Sequence, residues 1–258
     1  MFRYEYPEFI NKHLLKVDML EQLRDYPRHY TQLLFQGQGN GIVNGCELSW
    51  NDDQLMINSG LIHWNGNLYF SEKPYTLECR PEDQLRYLVV KFLKETKHSD
   101  KIAGKTCIYL RKEPVRTQDE MELCRFRLQD GSRLRSIYKD FSDYSTEYDT
   151  INIIHSPYAE KGEGSISPRL LLCFAEEMME TEMENFLDSS FTMNVLANAG
   201  RVSRKVVELY LKKRSGKDLN SKDNLELYQG LLRILANRKT NSSRGQEQEP
   251  MRNRIMLM

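Results

Sequence analysis

Five histidines, five cysteines and a run of glutamates are the residues of this chain whose types invite chemistry. The histidines stand at 13, 29, 63, 98 and 155, and none has the His-x-His or His-Glu-x-x-His spacing that brings two imidazoles to one metal ion. His63 alternates with apolar neighbours in a strand-like run, where a packed or hydrogen-bonded imidazole is the expectation. Cys46, Cys79, Cys107, Cys124 and Cys173 are odd in number and widely spaced, with no Cys-x-x-Cys pair. They predict buried free thiols in a reducing setting, not a disulfide framework or a zinc site. In "EEMMETEME", Glu176, Glu180 and Glu184 fall on one helical line. Calcium needs ligands that wrap around it, and a straight helix offers only a ridge, so a solvated or partner-facing ridge is expected. Ser165 and Ser167 in "GEGSISP" read as helix-capping residues, since no serine has the glycines of a nucleophile elbow. No catalytic residue, cofactor or metal is expected.

The stretch "GQGNGIVNGCELSW", residues 37–50, poses a sharper question, with glycines at 37, 39, 41 and 45. A dinucleotide fingerprint needs a glycine at its sixth position, where this stretch has Ile42 or Asn44 instead. No Gly-Lys-Ser/Thr follows four spacers either, as a P-loop requires. With no strand leading in and no helix following, the dipole that holds a phosphate is missing. These glycines therefore make turns.

The chain has 258 residues, of which 29% are charged and 40% hydrophobic, at zero formal net charge. That balance gives no whole-chain attraction to nucleic acid or an anionic membrane. The zero hides two opposed blocks: twelve acidic against two basic residues from Asp140 to Ser190, then fourteen basic against six acidic from Arg201 to Met258. Such blocks set orientation between surfaces, within one chain or across subunits. "SRKVVELYLKKRSGK" has the charge of a nucleic-acid helix, but Val206, Val207, Leu209, Tyr210 and Leu211 take much of its circumference. With no recognition helix in view, nucleic acid is not the expected partner. No run approaches 18 apolar residues, and the start lacks a signal-peptide core, so no membrane insertion is expected.

The elements that must hold these residues come in three blocks, an α+β arrangement. Residues 1–36 predict a helix pair or bent helix from about residue 7, with Asp18 as a cap and Pro27 opening a second helix. Residues 37–160 predict an antiparallel β-rich module, with strands at 42–49, 54–58, 61–64, 67–71, 75–79, 85–94, 105–112, 121–128 and 150–155. Asn65-Gly66 marks a two-residue hairpin that pairs Trp64 with Asn67 and Ile62 with Tyr69, because both turn residues need positive φ. Both faces of that hairpin are largely apolar and should be covered. Residues 161–240 predict helices: Ser167-Pro168 starts one, a turn falls near Ser189–Ser190 or Gly200, Gly216 stops the basic helix and Ser221 caps the last. Residues 241–258 predict a flexible tail whose tip, Ile255, Met256, Leu257 and Met258, is apolar and suits insertion into a groove on a neighbour.

The β-rich stretch has a family likeness. Gly41, Val43, Gly45 and Leu48, then Ile57, Gly60, Ile62 and Gly66, lie in "GIVNGCELSW…LMINSGLIHWNGNLYF". This pattern resembles the opening module of phage tail and baseplate proteins and of related contractile injection systems, and the helix "LEQLRDYPRHYTQLLF" before it suits them. Two departures stand out: Cys46-Glu47 intervenes before Leu48, and no collagen-like or coiled-coil shaft follows. The resemblance implies a non-catalytic baseplate or tail adaptor, assembled in the bacterial cytoplasm, whose partners are other tail or baseplate proteins and copies of itself. Gly41, Asn44, Gly45, Gly60, Trp64, Asn65 and Gly66, with Ile255–Met258, are its expected turn and interface residues. Two other readings stay open: a carbohydrate- or protein-binding module that exposes the Trp64–Tyr69 hairpin, and a hydrolase in which a carboxylate meets His63, His98 or His155.

Overall fold

A computed structural model describes residues 4–12, 14–51, 53–99, 101–181, 185–216 and 223–246. Its architecture is α+β: a first helix, a central set of antiparallel sheets and a helical C-terminal half. Helix α1 spans Val17–Leu34 as one element that runs through Pro27, and residues 4–12 and 14–16 ahead of it are not helical. Of the expected helix pair or bent helix from residue 7, the structure has one helix, and it begins only at Val17. Its N-cap is Lys16, and Asp18 lies inside the first turn.

The strands follow the alternating pattern closely: β1 Gly41–Gly45, β2 Leu48–Asn51, β3 Gln54–Ile57, β4 Gly60–Trp64, β5 Asn67–Ser71, β6 Tyr75–Glu78, β7 Leu85–Phe92, β8 Thr96–Lys97, β9 Ile102–Ala103, β10 Thr106–Arg111 and β11 Glu120–Arg127. They form three three-stranded sheets, in the orders β1-β4-β5, β2-β3-β6 and β10-β7-β11, and a β8-β9 ribbon. The single strand expected at 42–49 is two, because Cys46 has φ 59° and turns the chain between β1 and β2. Residues 150–155 form no strand. They pair with β11 through one isolated bridge, Arg125 to Asn152, and with the loop after it through Arg135 to Thr150, before a turn closed by Ser156 N–H on Ile153 O.

Two apolar clusters lie inside. One is built by the sheets around Leu55, Leu88, Leu123, Phe126 and Ile151. The other belongs to the helices α2 Pro168–Met179, α3 Phe186–Ala197, α4 Arg204–Ser215 and α5 Asn224–Gln246. The helical cluster also takes in Phe141, Tyr144 and Ile154, and Ile153 packs against both clusters. Some helix signals act where the sequence places them: Pro168 opens α2, Gly200 with φ 76° turns the chain after α3, and Gly216 with φ 68° ends α4. The capping reading of the serines is corrected: Ser167 stands at the N-cap position but its hydroxyl caps no backbone N–H, and Ser165 Oγ donates to the Val202 carbonyl at 2.7 Å. Ser189 and Ser190 lie within α3, so the turn is the one at Gly200. Residues 241–246, expected within a structureless tail, belong to α5, and residues 247–258 lie outside the described residues. Ser221, Glu184, His13 and the apolar tip at residues 255–258 lie outside the described residues.

The opposed charge blocks meet inside this chain. Asp188, fully buried on α3, accepts from the Tyr210 hydroxyl at 3.0 Å and from the Arg238 guanidinium at 2.6 Å, with Arg214 Nε 2.8 Å away. Glu177 on α2 receives Lys239 Nζ at 2.6 Å. Charge patterning that orients two surfaces is here spent on packing α5 and α4 against α2 and α3.

Candidate functional site

The described residues singled out for turns lie at the two ends of the β1–β4 pair, Gly41, Trp64, Asn65 and Gly66 at the hairpin end and Asn44, Gly45 and Gly60 at the other. Gly45 pairs with Gly60 where β1 crosses β4. A Cβ on Gly45 would stand 2.2 Å from the Ser59 carbonyl oxygen, and one on Gly60 would stand 2.4 Å from Cys46 Sγ. No side chain fits there, so the crossing depends on both glycines. Upstream, the chain lies against residues 157–164: Gly39 N–H donates to Glu160 O, Ile42 N–H to Pro157 O, Ala159 N–H to Ile42 O and Gly162 N–H to Gly37 O, all at 2.8–2.9 Å. The glycine-rich stretch is thus a place where two backbones touch. It follows the C-terminal end of α1, the end of a helix that repels anions.

The hairpin has the register that the sequence predicts. Trp64 pairs with Asn67 and Ile62 with Tyr69, and the turn residues Asn65 and Gly66 have φ 48° and 80°. A β-bulge between Ile42 and Asn44 leaves the Val43 carbonyl to accept from the Arg201 guanidinium, which ties the helical half to β1. Asn44 itself is exposed.

Trp64 does not form a binding platform. It is 8% exposed, its ring stacks on Phe92 at 4.3 Å with 5° between planes, and Tyr69 meets Phe92 edge-on at 5.0 Å. A carbohydrate surface needs these rings open to solvent, so the exposed-aromatic reading of the hairpin is corrected: the aromatics belong to the core. His63 is likewise a packed residue, with Nδ1 3.0 Å from the Gly39 carbonyl and its ring beside Phe35.

His155 comes nearest to the geometry of a catalytic pair, with Nδ1 3.2 Å from Asp223 Oδ1. Burial, and the positive charge of Arg125, lower its pKa, so the ring favours its neutral form. It borders a hollow of about 330 Å³ that Glu122 and Arg125 also line, yet each acid there has a structural partner. Glu122 accepts from Arg125 Nε and Nη2 at 2.7 and 2.9 Å, and Asp223 Oδ1 also accepts the Leu225 N–H at the start of α5. No hydroxyl, thiol or amine side chain lines that hollow among the described residues. Burial raises the thiol pKa of Cys46 and Cys79 to about 11 and of Cys173 to about 12, which keeps these thiols protonated and inert. Among the described residues no group of three metal-ligating side chains occurs, and no helix is long and apolar enough to cross a membrane.

The surface feature that the sequence reading missed is the outer side of α1. This helix buries none of its residues. Leu20, Leu23, Tyr26, Tyr30, Leu33 and Leu34 are all exposed, Leu33 at 69%. Leu20, Leu23, Pro27, Tyr30 and Leu34 follow a 3-4-3-4 spacing, with Met19, Tyr26 and Leu33 beside them, so the stripe is wider than a two-helix seam. The periodicity was visible in the sequence. What the sequence did not reveal is that the chain's own core leaves this face uncovered.

No family model matches the chain, and no curated protein matches it. Among the solved structures it resembles are three from one kind of assembly. The cryo-electron microscopy structure of a type VI secretion system TssK-TssF-TssG baseplate subcomplex covers 91% of this chain and 100% of the matched chain, at 10% identity and TM-score 0.39. A crystal structure of TssK covers 90% and 68%, at 10% identity and TM-score 0.32. A baseplate complex from the type VI secretion system covers 91% and 70%, at 10% identity and TM-score 0.36. At TM-scores below 0.5 these likenesses define neither fold nor function, which rest on the chain's own surfaces.

Proposed function

We propose that this protein is a structural, non-catalytic component of a phage-tail-like contractile apparatus, a baseplate or tail adaptor that works through protein–protein interfaces. Its partners on this reading are other baseplate or tail proteins and copies of itself, and it assembles in the bacterial cytoplasm. The observation that carries the interface reading is α1, an 18-residue helix with no buried residue and an apolar stripe along its length. Contiguous apolar surface of this size marks an interaction site. The apparatus itself is suggested by the glycine pattern Gly41, Gly45, Gly60 and Gly66, with Trp64 and Asn65 in the hairpin. The blocks 1–36, 37–160, 161–240 and 241–258 are proposed as its units, with 251–258 as an anchor for a neighbouring subunit.

The experiment is co-expression of the full chain with the products of its neighbouring genes. A Leu23→Glu, Leu33→Glu double variant is expected to keep the circular dichroism and thermal midpoint of the parent and to drop out of the purified assembly. Full incorporation of that variant would remove α1 as the assembly face.

A further inference from the structure

The start of α2 breaks the local rules that helix starts obey. Ser167 stands at its N-cap without bonding a backbone N–H, and its first turn holds no acid. Pro168 has no N–H to give, and among the described residues the Arg169 N–H donates to no backbone carbonyl. The first turn instead carries Arg169, a cation at the positive end of the helix dipole, where an anion is preferred. Arg169 has no carboxylate partner among the described residues. Its guanidinium donates to the Ser136 carbonyl at 3.0 Å and lies 4.9 Å over the Tyr138 ring.

Pro168 and Arg169 line a cleft of about 300 Å³ where the sheets meet the helices, and Ile42, Leu48, Leu123, Ile151 and Ile153 make its apolar wall. Ser156 also lines it; it is 1% exposed, and its hydroxyl has no hydrogen-bond partner. An antiparallel bridge between Tyr158 and Ser165 brings this serine to the helix start, since Ser156 and Ser167 each stand two residues from that bridge, at the same end of it. A buried hydroxyl without a partner is costly, so it marks a group still to be supplied. Two more charges border the cleft. Arg201 is engaged by the Val43 carbonyl and by Glu160, and Glu47 is exposed. Arg169 is thus the cation left to meet a ligand.

We propose that this cleft binds a small monocarboxylate with a short linear apolar body, its carboxylate at the start of α2 and its chain along the isoleucine and leucine wall. The carboxylate supplies what the helix start lacks: an acceptor for the Arg169 N–H, a counter-ion for its guanidinium and a partner for the Ser156 hydroxyl. The cleft is at the lower end of the ~300–1,000 Å³ range of small-ligand sites, so the body is a few carbons long. A bare inorganic anion satisfies the polar end alone and leaves the apolar wall in water. The site shares no residue with α1, and it stands whether or not the baseplate reading does.

The probes are acetate, butyrate, hexanoate, n-hexanol and inorganic phosphate, each titrated into the isotope-labelled full chain and followed by nuclear magnetic resonance. Hexanoate is expected to shift the Arg169 and Ser156 amide resonances saturably. Affinity should rise roughly fourfold for each CH₂ added between acetate and hexanoate. Hexanol and phosphate are expected to bind at least tenfold more weakly than hexanoate. Arg169→Gln should weaken hexanoate at least tenfold, and Arg169→Lys should weaken it less. Ser156→Ala breaks no side-chain hydrogen bond, so it should keep the parent's thermal midpoint and lose severalfold in affinity. The proposal fails if no carboxylate moves the Arg169 amide, which would leave the Ser156 hydroxyl to water. It fails equally if phosphate or hexanol matches hexanoate, or if Arg169→Gln binds hexanoate as well as the parent does.

Discussion

Asn40 and Asn65, twenty-five positions apart, hold each other by two reciprocal hydrogen bonds: Asn65 N–H donates to Asn40 Oδ1 at 2.8 Å, and Asn40 Nδ2 donates to Asn65 Oδ1 at 3.0 Å. Each precedes a glycine, so the pair fastens the approach to β1 onto the tip of the β4–β5 hairpin. Asn40→Ala removes both bonds at an exposed site and is expected to cost about 1 kcal/mol. Urea denaturation with unchanged m-value checks this.

The glycines separate into two kinds, which a stability series should resolve. Gly45→Ala meets the Ser59 carbonyl at 2.2 Å and has φ 68°, so the crossing must open. A loss of roughly 3 kcal/mol or more is expected, in the range of severe substitutions. Gly66→Ala has nothing within 4 Å and bears only its positive φ, about 1 kcal/mol. Equal losses at the two positions would contradict the close approach of β1 to Ser59.

Asp188 has no exposure and faces Tyr210, Arg214 and Arg238. Replacing it with alanine strands two guanidinium groups in the helical core, which is expected to cost about 3–5 kcal/mol. Thermal denaturation should show this loss, and Arg238→Met in the Asp188→Ala background should recover part of it.

His155 gives the chain a pH dependence. Its pKa is lowered in the fold by burial and then by Arg125, against the opposing pull of Glu122 and Asp223. The unfolded chain, with a histidine near 6.5, then binds more protons than the folded one. This contribution to stability is complete above about pH 6.5 and falls as pH drops through the window below it. Urea midpoints at pH 7.5 and 5.5 should differ in that sense, and His155→Gln should narrow the difference.

Deleting residues 251–258 is expected to leave the circular dichroism spectrum and urea midpoint unchanged and to block incorporation into the assembly. Normal assembly of the truncated chain would show that these residues anchor nothing.

The hairpin was legible because its information is local: a two-residue Asn-Gly turn fixes which residues face each other. The stop at Gly216 was legible for the same reason. The segment 150–155 was not, because β-branched residues there serve as a bridge between the two apolar clusters, a tertiary use that looks like a strand from sequence. The outer face of α1 shows the opposite case. Its periodicity is that of any amphipathic helix, and only the packed chain shows that none of its residues is buried. The Trp64 hairpin carried the composition of a sugar platform, but Phe92, nearly thirty residues later, decides where the indole goes.

An 18-residue helix with a proline inside it and no buried residue has little reason to persist alone in water. On the assembly reading proposed above, its order comes from the partner that covers it, so limited proteolysis of the chain alone should cut first between Val17 and Leu34, and adding that partner should close those sites.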